Sequence, residues 1–372
     1  MTIAFDAKRL FQNFTGLGNY SRTLLKNLAK YFPEDDYQLF APEIKLNSST
    51  QFFIDNPAFS THSAPHPFHA VWRTWDVKKD IRKSGAQIFH GLSHEIPMGI
   101  QDLQVKTVVT MHDLVFKVYP EYTPALQRKL YDFKFRYACL HSDRIIAISE
   151  QTKRDIINFY QIDPAKIIVI YQTCGENFQH SEMEVESLQI SNLPSEYMLY
   201  VGSVIERKNL LRIIEAMDII PDSVRLPLVV VGQGSTYFKK VKEKIAEKKW
   251  KDQVYFIEKM IYSQLPALYR GASIFLYPSE YEGFGIPVIE ALFSKIPVIT
   301  SNVSCLPEAA GPSSLLVNPK SSEEIASAIE KSLADSILRQ KMIADGLTYA
   351  QENFSSKKVT TQVHQLYQNL LS

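Results

Sequence analysis

Residues 278–291 read Pro-Ser-Glu-Tyr-Glu-Gly-Phe-Gly-Ile-Pro-Val-Ile-Glu-Ala. Two carboxylates, Glu282 and Glu290, bracket a turn with glycines at 283 and 285. An apolar run at 274–277 leads in, and a helix is expected to start near Pro287, a residue suited to the first helical position. The amides of Gly283, Phe284, Gly285 and Ile286 then lie at a helix N-terminus, where unpaired N–H groups and the dipole favour an anion. Gly283 and Gly285 let the main chain come close to a ligand. A phosphate fits such a turn, but two glutamates cannot share it. They must hold something neutral and rich in hydroxyls on either side, and a sugar and a ribose flanking a diphosphate meet that demand. The alternative is an ordinary strand-turn-helix corner with surface acids.

A second segment has the same layout. In Tyr200-Val201-Gly202-Ser203-Val204-Ile205-Glu206-Arg207-Lys208-Asn209-Leu210 a strand is expected to end at Gly202 and a helix to start near Asn209. Arg207 and Lys208 stand at that start, where the dipole repels cations. A bound polyanion would offset the penalty, Arg offering a planar fork and Lys a point charge. Two solvated charges are the other reading.

In the first half, Val108-Val109-Thr110-Met111-His112-Asp113 places His112 and Asp113 at the carboxyl end of a buried strand, where functional residues of open α/β sheets gather. Upstream, His90, Ser93, His94 and Glu95 offer hydrogen-bonding groups to the same place, or form a plain polar loop. Thr15-Gly16-Leu17-Gly18-Asn19-Tyr20-Ser21 lacks the third glycine of a dinucleotide fingerprint. It reads as a glycine loop whose backbone can approach a diphosphate or an acceptor. Trp72, Arg73 and Trp75, with Lys78, Lys79, Arg82 and Lys83, combine aromatic and basic character. That suits a membrane surface or an anionic lipid-linked molecule; a solvated helix face with one Trp in the core is the alternative. There is no Asp-x-Asp pair and no His/Cys cluster with metal spacing, so no metal is expected. Arg207, Lys208 and helix N-termini would neutralise the diphosphate.

The elements that must carry these residues follow from the hydrophobic pattern. Short apolar runs at 3–5, 37–41, 87–90, 107–111, 144–148 and 167–171, then at 198–201, 228–231, 254–257, 274–277, 297–300 and 315–317, alternate with stretches of helical period. Continuous apolar strands with helical crossovers mean parallel sheets covered on both faces. A chain of 372 residues suits two such α/β domains. The polar, acidic, poorly periodic segment before Met198 divides them. The expected division is 1–175 for a first Rossmann-like domain, 176–196 for a linker, 197–354 for a second Rossmann-like domain and 355–372 for a terminal helix.

A net charge of +1 gives no pull toward nucleic acid. Cys139, Cys174 and Cys305 are far apart and odd in number, which suggests buried thiols in a reducing compartment. The N-terminus reads as a strand without a signal-peptide pattern, and no apolar run approaches the roughly 20 residues that a bilayer needs. A cytoplasmic protein is expected, with peripheral contact at the inner face of the membrane as a further expectation.

With these residues in view, the chain resembles the family 4 glycosyltransferases of the GT-B fold over nearly its whole length. The matching segments are Gly16 to Tyr20, His90 to Pro97, His112 to Leu114, Ile148-Ser149-Glu150 with Lys153-Arg154, Gly202 with Arg207-Lys208-Asn209, and the Glu282-x7-Glu290 signature. The version here looks most like bacterial mannosyltransferases that build surface polysaccharides, lipopolysaccharide among them. The resemblance implies two Rossmann-like domains facing a central cleft, 1–175 on the acceptor side and 197–354 binding the nucleotide sugar, with the terminal helix 355–372 packing back on the first. It also implies retaining, metal-independent transfer of a hexose from a nucleotide diphosphate sugar, GDP-mannose first among donors, to a glycan or lipid-linked acceptor.

By the same resemblance Glu282 holds hydroxyls of the transferred sugar, Glu290 holds the ribose, Lys208 and Arg207 bind the diphosphate, and His112 contacts the donor sugar near the reacting carbon. Backbone around 256–260 reads the base. Gly16, Gly18, His90, Asp113, Ser203 and the turn at Gly283, Phe284, Gly285 and Ile286 complete the expected binding set. Many relatives carry Arg at the position of Ser203, and here Arg207 is expected to substitute. Ser356 stands where relatives often have Trp. Two other activities share the sequence features: a nucleotide-sugar epimerase or phosphorylase on the same fold, and a non-catalytic nucleotide-sugar-binding protein.

Overall fold

The computed structural model describes residues 1–64, 68–179 and 193–372. The chain forms two compact units, Met1–Thr173 with Ser356–Ser372, and Cys174–Ser355. The first is built on a seven-stranded sheet: β1 (Thr2–Asp6), β2 (Asp36–Ala41), β3 (Phe59–Ser63), β4 (Ile88–Gly91), β5 (Lys106–Met111), β6 (Arg144–Ala147) and β7 (Ile167–Val169), in the order β3-β2-β1-β4-β5-β6-β7. The second carries six strands: β8 (Met198–Val201), β9 (Leu228–Val231), β10 (Val254–Ile257), β11 (Ile274–Tyr277), β12 (Val298–Ser301) and β13 (Leu315–Val317), in the order β10-β9-β8-β11-β12-β13. Every strand pairing is parallel.

Burial explains the strand composition. Side chains alternate across a sheet, and in β1 Ile3 and Phe5 join one apolar layer while Ala4 joins the other. Leu-Val-Val-Val in β9 is wholly buried, as a strand covered on both faces must be. β3 lies outside the strands expected from the apolar pattern. It is an edge strand of composition Phe-Ser-Thr-His-Ser with only Phe59 buried, so its pairing to β2 leaves no apolar run to read.

The terminal helix Ser356–Leu371 belongs to the first unit. Val359, Val363, Leu366 and Tyr367 fall on one helical face and pack with Leu24, Leu25 and Leu28. His364 Nε2 bonds Asp35 Oδ2 at 2.8 Å and its ring stacks on Phe32. Ser356 is buried at the helix start, its Oγ 3.3 Å from Thr173 Oγ1. Most of the segment expected to be a linker lies outside the described residues. Its first four residues, Glu176–Gln179, form a helical turn of the second unit, with Phe178 buried beside Tyr262 and Tyr269.

Candidate active site

In the second unit the carboxyl ends of the adjacent strands β8 and β11 bring the two chemical segments together. β8 runs into Gly202, at φ +155°, where a Cβ would sit 3.3 Å from Lys208 Nζ. Gly232, after β9, is at φ +151°, and a Cβ there would meet Gly202 O at 1.9 Å, so these two loops touch backbone to backbone. A single 3-10 turn, Glu206–Lys208, then precedes the helix Leu210–Ile219. Arg207 and Lys208 therefore sit one turn before the α-helix, which eases the dipole penalty expected from the sequence. Asn209 joins the two elements at φ +62°, its Nδ2 donating to Pro278 O and Pro319 O. These bonds fix its side chain against the segments that follow β11 and β13.

Arg207 and Lys208 are not a bare cationic clamp. Glu282 Oε1 lies 3.0 Å from Arg207 Nη1 and 3.6 Å from Lys208 Nζ, and accepts bonds from Tyr277 Oη at 3.0 Å and Ser279 Oγ at 2.8 Å. Lys208 Nζ also donates to Tyr277 Oη at 2.6 Å, and Arg207 donates to the Tyr281 carbonyl. Burial by itself would raise the Glu282 pKa; Lys208, Arg207 and the Ser279 bond overcome it and hold the carboxyl at about 2. Burial lowers the Lys208 pKa, and Glu282 opposes that shift. Among the described residues Glu282 Oε2 has no hydrogen-bond partner. The trio of Arg207, Lys208 and Glu282 sums to one positive charge in a partly desolvated pocket, with one carboxylate oxygen left for a hydroxyl.

The turn after Glu282 is held from the segment that follows β12. Ser304 Oγ bonds both the amide and the carbonyl of Glu282, and Cys305 Sγ donates to the carbonyls of Glu282 and Phe284. Gly285 caps the helix Ile286–Phe293 at φ +116°, and Pro287 takes its second position. The Phe284 side chain is buried edge-on against Phe354, which keeps it from a ligand. Glu290 is buried inside that helix, with Tyr269 Oη at 3.0 Å and Tyr262 Oη at 3.3 Å. Burial pushes its pKa up to about 7, although both tyrosine bonds act the other way. Ser203 is exposed, and its carbonyl accepts from Tyr200 Oη. The residues 256–260 enter no hydrogen bond that fixes a role in reading a base.

The first unit keeps His112 and Asp113 at the end of β5, but with both imidazole nitrogens engaged. Gln172 Nε2 donates to Nδ1 at 2.9 Å, which leaves the proton on Nε2, 2.9 Å from Leu92 O. Tyr20 packs edge-on against the ring, and burial holds the pKa at about 4, so His112 is neutral and fixed. Asp113 Oδ1 accepts from Val115 N.

Two expectations for this unit are corrected. His90 is fully buried in the core, with Nδ1 at 2.6 Å from Tyr367 Oη and Nε2 at 2.8 Å from Thr110 Oγ1. It ties β4 to the terminal helix and has no nitrogen left for a ligand. Gly16 and Gly18 do not form a loop; they open the helix Gly16–Tyr31. A Cβ on Gly18 would lie 1.7 Å from Asn13 O, so that glycine answers to packing inside the unit, while Gly16 faces open space.

Trp72 is buried with Nε1 bonded to Asp80, and Lys79 and Lys83 pair with Asp76 and Asp80. Within the segment, Trp72 is in the core, Arg73 is held by Asp6 and Glu95, and Trp75 is exposed beside the surface lysines. Sequence reasoning missed Tyr262, Tyr269, Ser304, Cys305 and the Gly232 contact. The tyrosines stand 28 and 21 positions before Glu290, and no local pattern marks them.

Two family profiles match the chain: Glycosyltransferase Family 4 over residues 14–173 and Glycosyl transferases group 1 over residues 186–348. The O-antigen chain mannosyltransferase B of Escherichia coli is 28% identical over 100% of both chains. The serotype-specific mannosyltransferase WbdA of the same organism is 27% identical over 70% of this chain and 33% of its own length. The O-antigen chain mannosyltransferase RfbU of Salmonella typhimurium is 30% identical over 66% of this chain and 65% of its own. Among solved structures, sucrose-phosphate synthase of Thermosynechococcus elongatus superposes with a TM-score of 0.80 at 21% identity, covering 100% of this chain and 99% of that one. The Anabaena protein HepE, in complex with UDP and glucose, superposes with a TM-score of 0.77 at 15% identity, covering 99% and 100%. Profile matches over both halves, similarity along the whole length of an O-antigen mannosyltransferase and the two parallel sheets agree: the chain belongs to the group 1, family 4 glycosyltransferases and has their GT-B fold.

Proposed function

We propose that this chain transfers mannose from GDP-mannose, with retention of configuration, to a glycan or lipid-linked acceptor in the synthesis of a bacterial surface polysaccharide. The observation that carries the reading is the meeting of Arg207, Lys208 and Glu282 at the carboxyl ends of β8 and β11. The choice of mannose and of a surface glycan rests on the full-length similarity to an O-antigen mannosyltransferase.

In this reading the second unit takes the donor and the first the acceptor. As the anomeric C–O bond breaks, negative charge grows on the diphosphate. Arg207, Lys208 and the amides at the start of Ile286–Phe293 stabilise it, and such electrostatic preorganisation is commonly the largest catalytic term. Glu282 takes a sugar hydroxyl on its open oxygen while its other oxygen keeps the two cations in place. Glu290 takes the ribose. With both acids so committed, neither is the nucleophile that a double displacement needs, and the departing diphosphate accepts the acceptor's proton. His112, neutral and fixed on both nitrogens, supplies no proton. Because two side chains supply the positive charge, turnover is expected to persist in EDTA.

The helix Ala125–His141 supplies the surface for a peripheral membrane contact, in place of the segment around Trp72. Leu126, Leu130, Phe133 and Leu140 are exposed at helical spacing, with exposed Lys129 and Arg136 beside them. An apolar stripe edged by cations suits an anionic leaflet. Among the described residues no helix is long and apolar enough to cross a membrane.

The test of the donor reading is turnover against a panel of GDP- and UDP-hexoses with a lipid-linked glycan acceptor. GDP-mannose is expected to give an α-mannoside. Transfer from a UDP-hexose alone, or an inverted product, would replace the reading.

A further inference from the structure

The backbone pairing of β11 with β12 runs from Phe275 and Val298 to Tyr277 and Thr300. Past it the chain that carries Glu282 is irregular, yet Pro278, Ser279, Tyr281 and Phe284 are buried. Buried main-chain groups outside a ladder must find partners elsewhere. One short segment supplies them. Thr300 Oγ1 donates to Tyr277 O at 2.7 Å, Ser301 Oγ to Ser279 O at 2.6 Å and Ser304 Oγ to Glu282 O at 2.8 Å. Cys305 Sγ lies 3.0 Å from Glu282 O and 2.9 Å from Phe284 O. Where the strand pairing stops, a row of hydroxyls and a thiol continues it out to the turn.

Ser304 differs from the other members of the row. Thr300, Ser301 and Cys305 are wholly buried. Ser304 is half-buried and stands in the left-handed region at φ +60°, a conformation glycine takes without strain. Its Oγ serves both main-chain groups of one residue, accepting from Glu282 N at 3.2 Å as well as donating to Glu282 O. Behind it, Leu306 and Ala309 of the helix Leu306–Ala310 lie against Gly285, where a Cβ would meet them at 3.1 and 3.5 Å. Glu282 is therefore anchored twice. Ser304 holds its main chain, while Arg207, Lys208, Tyr277 and Ser279 hold Oε1. Together the two anchors fix the direction in which Oε2 faces.

We propose that Ser304 is a positioning residue for glycosyl transfer: its hydroxyl, bonded to both main-chain groups of Glu282, sets where the Glu282 carboxylate and the amides after it stand as the leaving group departs. That role in transfer rests on the reading in which this turn faces the donor; the bonds themselves do not. Ser304 acts through Glu282, and a misplacement of about 1 Å at a reacting centre can cost on the order of 10²-fold in rate.

The test compares Ser304→Gly, Ser304→Ala and Ser304→Thr with wild type in steady-state transfer to a lipid-linked glycan acceptor from GDP-mannose, UDP-glucose and UDP-galactose. Glycine relieves the left-handed backbone and β-branched threonine strains it, so Ser304→Gly should melt above Ser304→Thr. Turnover should rank the other way. With the donor that wild type uses, Ser304→Gly and Ser304→Ala should each lower kcat about tenfold or more. Donor KM should stay within about threefold, because Arg207 and Lys208 still hold the diphosphate. Ser304→Thr, which keeps the hydroxyl, should recover most of kcat. Amide exchange over 282–286, which needs no donor, should be roughly fivefold faster in Ser304→Gly and Ser304→Ala than in wild type. Wild-type kcat in Ser304→Gly, kcat that follows melting temperature, a loss confined to KM, or unchanged exchange overturns the proposal. Turnover from a UDP-hexose alone, with the same ranking of variants, supports the proposal and replaces the donor reading.

Discussion

At the scale of single residues, the two signature glutamates share a helix-loop segment but live in opposite electrostatic settings. Glu282 is flanked by cations and stays ionised, whereas Glu290 sits among tyrosines with no cation bonded to it among the described residues. Burial raises the Glu290 pKa to about 7, above the carboxylate's ordinary 4.5. A carboxyl with a raised folded-state pKa binds its proton more tightly in the folded protein, so it contributes stability below the unfolded pKa and loses it as pH rises. Relative to Glu290→Gln, wild type should lose stability between pH 4.5 and about 7, by up to roughly 3 kcal/mol, and hold steady above. Thermal melts of both proteins from pH 4.5 to 8 check this, and a pH-independent difference would contradict it. The candidacy of the glutamates, Arg207 and Lys208 was legible because their types and spacing suit the proposed chemistry. Their salt bridges were not, because Lys208 and Glu282 are 74 positions apart and meet only when β8 and β11 pair.

At the scale of elements, the helix Ala125–His141 is the part of the first unit whose composition its own core explains least. Of its seventeen residues only Phe135, Ala138 and Cys139 are buried. Replacing Leu126, Leu130 and Phe133 together with Ser should reduce co-sedimentation with phosphatidylglycerol-containing vesicles by at least about tenfold, at roughly 0.8 kcal/mol per buried methylene. Melting temperature should barely move. Equal binding by the variant, or equal binding of wild type to neutral vesicles, would remove this surface from the account of acceptor access.

Twelve strands were legible to within a residue or two, because parallel strands covered on both faces leave short, continuous, β-branched apolar runs. β3 was not, since an edge strand with one buried residue carries no such run. The glycines near the N-terminus misled for a related reason. Gly18 is required by contact with Asn13, a packing constraint indistinguishable in sequence from a ligand-binding loop. His90 stands at a strand end as a site residue would, but Tyr367, 277 positions away, claims it for the core.

At the scale of the whole molecule, each unit repeats one topological idea. The strand order around β1 and β4 is the order around β8 and β11, and charged residues cluster at the carboxyl ends in both. The doubled α/β pattern was readable from the alternation of strands and helices; the cluster of Asp6, Arg73, Glu95 and Lys134 was not, because its members lie on four separate segments. The central claim is that Arg207 and Lys208, steadied by Glu282, grip the diphosphate of a nucleotide sugar. The most direct measurement is calorimetric titration of GDP-mannose into wild type and Lys208→Ala at neutral pH in EDTA. Wild type should bind, and the variant should bind at least about tenfold more weakly, as loss of a charged hydrogen bond requires, while its circular dichroism stays that of the wild type. Equal affinity in the two proteins, with wild-type binding intact, would contradict the claim.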